Sequence, residues 1–295
     1  MVISYCSPEN QHIYDKTSSC FNKDELLIIA KKYNDAKPTK KIPLKVNKKE
    51  ISKSALLRHL NARLNTHESK WPDMDFMKVT SQETREKLRK AFRPKKPDSW
   101  YVNDREWLNT YDLLNVMHQY EDHYKSFKFL GVHPIDFAYK PSSISSKCIS
   151  PQLCNFNLEQ FIKANYSQVG IIFNLDKHNE PGSHWVLLYI GLKPHMKNFG
   201  CYFIDSNSTD TPIEIASFMQ NVKEQIDNFY SDKFSKNFVT LENKKRFQFK
   251  NTECGMFCIY FLIQFLKKKS FDNIINQNIE DDSVHKFRSI YYTNH

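Results

Sequence analysis

The feature that most constrains the fold of this chain is the segment Cys254–Leu266, which is apolar on nearly every side of a helix and contains one polar amide, Gln264. The segment is too short to cross a bilayer, since a spanning helix takes about 20 residues. Three lysines follow it directly, and cations stabilise the C-terminal end of a helix. We therefore predict a buried helix here and no membrane span.

The second half of the chain mixes strand and helix patterns. Four short β-rich runs are bounded by turn-forming residues, at 170–175, 185–190, 200–204 and 238–241. The segment 212–230 carries apolar residues at helical spacing, and the tail 281–292 predicts one last helix. Strands interleaved with helices favour an α+β fold.

The first half is predicted to be mainly helical. Helices are indicated by apolar spacing or by a capping signal at 52–64, 80–93 and 103–127. Residues 1–50 are predicted to be loosely organised, with a short amphipathic stretch at 24–33. In the last of them we expect a core stripe formed by Trp107, Tyr111, Leu114 and Met117. The Lys/Pro segment 37–49 predicts a linker or an exposed arm. We place an N-terminal basic, mainly helical arm domain at 1–130 and a second domain at 131–295.

The net charge is also distributed unevenly between the two halves of the chain. The chain carries a net charge of +10, of which +9 lies in residues 1–150. A basic half suits a polyanionic partner such as nucleic acid, although the same lysines also keep a chain rich in Phe and Tyr in solution. With only 6 glycines and no glycine-rich phosphate loop, nucleotide-dependent chemistry is disfavoured.

The seven cysteines are an odd number without framework spacing, and no hydrophobic leader opens the sequence. We therefore predict no disulfide framework and a reducing, cytoplasm-like compartment. Cysteine pairs with matching histidine pairs are missing, so we expect no metal and no other cofactor.

The second half of the chain contains one candidate residue for each role in thiol catalysis. Cys254 precedes the apolar helix, where free amides and the helix dipole stabilise a thiolate. Gly255 is expected to let a substrate backbone approach and to leave the residue-254 amide free as an oxyanion donor. Gln248 offers a second donor through its side-chain amide.

A base and an orienting group come from two predicted strand ends. His184 stands at a turn that feeds one strand, and Asp205 ends the next. Neighbouring strands bring such ends together, so we expect the Asp205 carboxylate on the imidazole Nδ1–H, with Asn207 as the fallback. Taken singly, each residue also has a structural interpretation, since a free cysteine is usually an inert buried thiol and an aspartate at a strand end usually forms a turn.

The order of these residues resembles the Ulp1/adenain-type (SUMO-protease-like) cysteine proteases. In that family a His-Trp pair precedes a strand that ends in Asp-Ser, and a Gln precedes Cys-Gly by six residues, as His184-Trp185, Asp205-Ser206, Gln248 and Cys254-Gly255 do here. The chain is more particularly similar to the subgroup from large nucleocytoplasmic DNA viruses such as African swine fever virus. The segments that resemble this subgroup are 107–137, 182–186, 207–209, 251–255 and 285–288.

The resemblance implies a papain-like, Ulp1-type catalytic domain with a mixed central sheet flanked by helices. It assigns Cys254 as nucleophile, His184 as base, Asp205 as orienting residue and Gln248 as oxyanion donor, while Trp185 lines a narrow substrate channel. Some viral relatives have Asn at the orienting position, which leaves Asp205 and Asn207 both open. The catalytic domain is then the segment 131–295.

The implied activity is cleavage of viral structural polyproteins after Gly-Gly during virion maturation, in the host cytoplasm and the virion. Two alternatives stay open. One is an isopeptidase that removes SUMO or ubiquitin from host proteins, because those modifiers also end in Gly-Gly. The other is an inactive module whose basic half binds nucleic acid. No membrane partner is expected.

Overall fold

The computed structural model describes residues 5–141 and 147–294. Its backbone contacts divide the chain into two compact units, Met1–Lys96 with Ser289–His295, and Pro97–Arg288. We predicted a boundary at residue 130, which differs from this division. The reason is that helix α5 (Thr110–His123) packs on strand β3 (Phe127–Pro134) and on helix α10 (Cys254–Leu266), so the segment belongs to the second unit.

The first unit is built on four helices, which are α1 (Gln11–Thr17), α2 (Lys23–Ala36), α3 (Lys53–Leu64) and α4 (Gln82–Arg89). Asn22 and Ser52 cap α2 and α3, and Ser81 caps α4, each by accepting a backbone N–H bond. The helices enclose a core that includes Phe21, Leu56 and Trp71, all without exposed surface. The predicted helical region is confirmed.

The Lys/Pro segment of this unit is exposed and ends in a two-stranded hairpin. Strand β1 (Lys45–Val46) pairs antiparallel with β2 (Lys49–Glu50). Asn47 and Lys48 between them have φ of 50° and 65°, the left-handed conformation that tight hairpin turns require.

The second unit contains one mixed sheet of five strands in the order β3-β4-β5-β6-β7. The strands that follow β3 are β4 (Gln168–Asn174), β5 (Trp185–Gly191), β6 (Gly200–Ile204) and β7 (Val239–Glu242). Strand β5 runs antiparallel to its neighbours β4 and β6, whereas both edge strands run parallel to their neighbours.

Helix α10 is buried along its whole length, as the sequence predicts, and packs on β5. The ring of Phe265 stacks on Tyr189 of β5 at 4.1 Å. A second core includes α8 (Ile213–Phe229), which buries Ile215, Val222 and Ile226 with the inner residues of the central strands. This mixed sheet with flanking helices confirms the predicted fold class.

The remaining helices are short: α6 (Pro151–Cys154), α7 (Leu158–Lys163), α9 (Asp232–Ser235), α11 (Phe271–Ile275), α12 (Asp281–His285) and α13 (Arg288–Tyr291). The tail therefore forms two short helices where one was predicted.

The predicted helix at 103–127 is shorter than expected. It begins at Thr110, because Asn109 and Asp112 form a capping box there, and it ends at His123. Trp107 and Tyr111 are exposed, and the core stripe is formed by Leu113, Val116 and Met117. Met117 of the predicted stripe is buried and Leu114 is partly buried, whereas Trp107 and Tyr111 lie outside the core. Strand β3 after the helix was missed.

The prediction that the cysteines form no disulfides was wrong for two pairs. Cys6 bonds to Cys20, and Cys148 bonds to Cys154, with Cα atoms 5.3 and 6.8 Å apart. Sequence spacing cannot show such proximity, because the chain turns back between the paired residues. Over the described residues, no helix combines the length and the apolar character that a bilayer span needs.

Candidate active site

The register of the sheet places His184 and Asp205 at one edge. Strands β5 and β6 run antiparallel, with Leu187 opposite Ile204. Continued past its last pair, this register puts Asn207 opposite His184, with Asp205 two residues away on the same edge of the sheet. This confirms the geometric expectation that the two strand ends meet.

The imidazole of His184 lies between a carboxylate and a thiol. Its Nε2 is 2.5 Å from Asp205 Oδ1, and it is also hydrogen-bonded to Cys254. We predicted that Asp205 would bind Nδ1, which is wrong: Nε2 faces the carboxylate. Because Nε2 faces the carboxylate, Nδ1 is the ring nitrogen left for a second partner.

The charge of this site favours a protonated imidazole. Burial by itself lowers the pKa of His184, but the hydrogen bonds to Asp205 and Cys254 outweigh it and raise the pKa to about 9. Burial also disfavours the Asp205 carboxylate, yet hydrogen bonds from His184 and from Thr209 keep its pKa below the ordinary value. An imidazolium beside a carboxylate is the environment that stabilises a nearby thiolate.

Asp205 has no exposed surface, and hydrogen bonds fix both its side chain and its backbone. The backbone amide of Asn207 donates to its Oδ1 at 2.9 Å, and that of Thr209 donates to its Oδ2 at 3.0 Å. The buried side chain of Asn243 binds both its N–H and its C=O, each at 2.8 Å. Asn243 was missed by the sequence analysis because it lies 38 residues from Asp205.

Asn207 is also near the ring, with Nδ2 3.4 Å from His184 Nε2. That distance is at the limit of a hydrogen bond, whereas the carboxylate contact is short. The geometry therefore favours Asp205 over Asn207 as the partner of the imidazole.

Cys254 is the first residue of α10 and is 2% exposed. The first intrahelical bond joins Phe257 N to Glu253 O, so the amides of residues 254–256 precede it and point toward the start of the helix. We expected Gly255 to make room for a substrate. A Cβ there would instead lie 3.0 Å from Leu108 Cβ and 3.2 Å from Trp185 Cδ1, so its small size serves packing inside the protein.

The Gln248 side chain is fixed in one orientation. Ser206 Oγ donates to Gln248 Oε1 at 2.7 Å, and Gln248 Nε2 donates to Lys250 O at 2.7 Å. The amides of Phe247 and Gln248 also bind Ser206 O. The second amide hydrogen of Gln248 is available for another acceptor. Ser206 is thus a supporting residue whose only sequence signal was its place directly after Asp205.

Trp185 lines an open cleft of about 460 Å³ beside the site, and its indole N–H donates to Leu108 O at 2.8 Å. Cys254, His184, Asp205 and Gln248 are not among the residues that line this cleft. Trp107 and Leu108 line the same cleft. The sequence analysis assigned Trp107 to a helix core and so missed this wall. The signal that was available is the Asn109 cap, which places Trp107 outside the helix.

The site as a whole has the components of acyl transfer by a thiolate. An imidazole lies between a carboxylate and a thiol, beside amide donors at a helix start, and these are the groups that such a reaction requires. Among residues 5–141 and 147–294, no three His, Cys, Asp or Glu side chains are grouped as metal ligands.

Comparisons with known proteins agree with this geometry. The family "Ulp1 protease family, C-terminal catalytic domain" matches residues 157–295. The thiol protease R355 of Acanthamoeba polyphaga mimivirus is similar to this chain, at 28% identity over 99% of the chain and 94% of the relative. A cysteine protease of African swine fever virus is 25% identical over 43% of the chain and 45% of the relative.

The fold is shared with a solved structure. The match to a crystal structure of the African swine fever virus protease covers 99% of this chain and 96% of the viral one, with a TM-score of 0.65 and 17% identity. Residues 157–295 match the catalytic domain of the Ulp1 protease family, and the sequence similarity to viral thiol proteases shows that this chain is a cysteine protease.

Proposed function

We propose that this chain is a viral endopeptidase that cleaves structural polyproteins after Gly-Gly during virion maturation. Cys254 is the nucleophile, His184 the base, Asp205 the orienting residue and Gln248 the side-chain oxyanion donor. The observation that carries the proposal is that His184 is hydrogen-bonded to both Asp205 and Cys254.

The proposed reaction uses these side chains and water. The Cys254 proton moves to His184, and the thiolate attacks the glycyl carbonyl. The Gln248 amide and the residue-254 amide stabilise the tetrahedral oxyanion. The imidazolium then protonates the leaving amine, and water hydrolyses the thioester.

The shape of the site supports glycine at the cleavage position. Cys254 is 2% exposed, and Leu108 and Trp185 pack closely on the neighbouring Gly255. A substrate backbone that reaches such a sulfur passes through a narrow space, where a residue without Cβ meets the least obstruction. We therefore propose that Trp185 and Leu108 select glycine.

Digestion of a peptide library tests the proposal. We expect wild-type protein to cleave after Gly-Gly, Cys254→Ser to be inactive, and Gln248→Ala to cleave about 100-fold more slowly, as for loss of one oxyanion donor. Equal rates for Gln248→Ala and wild type would remove Gln248 from the mechanism. Cleavage without glycine preference would contradict the proposed specificity.

The alternative isopeptidase activity makes a different prediction. A labelled ubiquitin-like protein with a C-terminal electrophile would react with an isopeptidase through contacts to its folded body. A polyprotein protease should react no faster with it than with a Gly-Gly peptide that carries the same electrophile.

We further propose that the N-terminal unit binds nucleic acid, which fits a protein of the viral factory and the virion. Six lysines and no acidic residue lie between positions 37 and 49, and all six are exposed. The hairpin of β1 and β2 presents Lys45, Lys48 and Lys49 together. Such clusters bind phosphates with strong salt dependence.

Binding to a duplex oligonucleotide, followed by fluorescence anisotropy, tests this second proposal. Replacing Lys45, Lys48 and Lys49 with Gln should weaken binding and reduce the salt slope by about 0.9 for each phosphate that the hairpin no longer neutralises. The matched control replaces three exposed lysines of the other unit, Lys197, Lys233 and Lys236, with Gln. Equal binding by both variants would contradict the role of the hairpin.

A further inference from the structure

Residues 249–253, here called the nucleophile loop, separate Gln248 from Cys254 and contain neither helix nor strand. Residues 281–288, here called the C-terminal brace, contact this loop at several points. We propose that the brace holds the loop in the conformation that aligns the two oxyanion donors, and that Glu253 is the positioning residue through which it does so. This inference rests on the proposed function.

Glu253 makes the central contact between the nucleophile loop and the C-terminal brace. Its side chain has no exposed surface. Its Oε2 accepts from Arg288 Nε at 3.1 Å, and its Oε1 lies 3.0 Å from His285 Nδ1. A buried carboxylate requires such partners, and loss of its charge leaves the cation without compensation. Because Glu253 directly precedes Cys254, these bonds fix where helix α10 begins.

Two other loop residues bind the brace. The amide of Phe249 donates to Asp281 Oδ2 at 2.7 Å, and Lys250 Nζ donates to Asp282 Oδ1 at 2.7 Å. The Phe249 contact lies directly beside Gln248, and the Glu253 contact directly beside Cys254. The brace therefore fixes both ends of the loop, and with them the separation of the two donors.

Arg288 extends this connection to the wall of the cleft. Its Nη2 donates to Glu106 O at 2.8 Å, directly before Trp107, and its guanidinium lies 4.4 Å from the Trp100 ring centre. Arg105 also reaches the brace, with Nη2 2.5 Å from Asp282 Oδ1. One buried ion pair thus joins the nucleophile loop to the segment that carries Trp107.

Glu253 has a positioning role because protein groups bind both of its oxygens: Arg288 binds Oε2, and His285 and Thr252 bind Oε1. Loss of alignment of the donors weakens stabilisation of the transition state more than binding of the ground state. A displacement of about 1 Å at such a site costs on the order of 100-fold in rate. The expected signature is a lower kcat with little change in KM.

Glu253→Gln tests the proposal, because it removes the charge while keeping the side-chain shape. We expect kcat for a Gly-Gly peptide to fall about 10- to 100-fold, with KM within about threefold. We also expect faster backbone hydrogen exchange in residues 249–254, measured on the full chain by mass spectrometry. The matched control is Glu280→Gln, at an exposed position beside the brace, which should change neither quantity.

A second variant keeps the test decisive if Glu253→Gln does not fold. Asp282 is exposed and binds Lys250 and Arg105, so Asp282→Ala leaves no buried charge unpaired. We expect it to fold, to lower kcat about threefold, since exposed ion pairs are weak, and to raise exchange in the same segment.

The outcomes separate this inference from the proposed function. If wild type cleaves no Gly-Gly peptide, the proposed function fails, and the exchange measurement still decides whether the brace orders the loop. If wild type is active while folded Glu253→Gln keeps its kcat within twofold and its exchange unchanged, the positioning role is overturned. Unchanged kcat and exchange in Asp282→Ala would overturn it equally when Glu253→Gln is unfolded.

Discussion

Replacing Asp205 with asparagine removes one negative charge from a position with no exposed surface. In the native protein, burial lowers the pKa of His184, while hydrogen bonds to Asp205 and Cys254 raise it from 6.5 to about 9. At 1.36 kcal/mol for each pKa unit, this corresponds to roughly 3 kcal/mol in favour of the imidazolium. Because the His184 side chain is only 12% exposed, solvent screens little of that energy.

Asp205→Asn should therefore bring the pKa of His184 down, by about 1 to 3 units if the carboxylate acts as close opposite charges usually do. Each unit lowers the fraction of thiolate–imidazolium pair about tenfold where that pair is the minor form. We expect kcat/KM at pH 7 to fall at least about tenfold. The alkaline limit of activity, which a pKa of about 9 places near pH 9 in the wild type, should move to lower pH.

The same shift has a consequence for stability. A pKa that is higher in the folded state stabilises the fold fully below pH 6.5, and this contribution is lost as pH rises through about 9. The difference in unfolding free energy between wild type and Asp205→Asn should therefore shrink over that interval.

The assay is the pH dependence of peptide cleavage, together with the rate of alkylation of Cys254 by iodoacetamide. Asp210→Asn removes the same charge from an exposed side chain of the same loop and should leave both profiles unchanged. If Asp205→Asn retains the wild-type profiles, the electrostatic reasoning is refuted. A loss in Asn207→Ala instead would assign the orienting role to Asn207.

Two further predictions concern packing and thiol reactivity. Gly191→Ala should lower the unfolding free energy by about 3 kcal/mol or more, because a Cβ there would lie 1.7 Å from the backbone oxygen of Asn198; thermal unfolding measures this, and an unchanged midpoint would contradict the close packing. Iodoacetamide should label Cys254 well before Cys201 and Cys258 in native protein, since burial raises the pKa of both other thiols. Labelling of all three at one rate would contradict this order.

Local patterns in the sequence predicted much of the fold. The bounds of α10 and β6 are those expected, because each carries an uninterrupted apolar pattern between clear boundaries. Strand β5 is longer than predicted by one residue at its end, and α8 is shorter by one residue at each end. Helix α5 shows where this reasoning fails. The apolar spacing continued past the true start of the helix, which the capping box of Asn109 and Asp112 sets.

The candidate site was likewise predicted from the sequence only in part. Residue types and their order along the chain pointed to Cys254, His184, Asp205 and Gln248, because each role in thiol catalysis requires a particular functional group. The ring nitrogen that faces Asp205 depends on the position of the imidazole between two strands and a helix, and no sequence pattern carries that information.

The sequence by itself determined which side chains are available for chemistry and which segments become helices and strands, since both follow from residues close together in the chain. Only the tertiary structure decided which distant groups meet. Asn243 binds Asp205 across 38 residues, and Arg288 binds Glu253 across 35. Contacts of this kind depend on how the chain returns to the same place in space, and hydrogen bonds and ion pairs act only over a few ångströms.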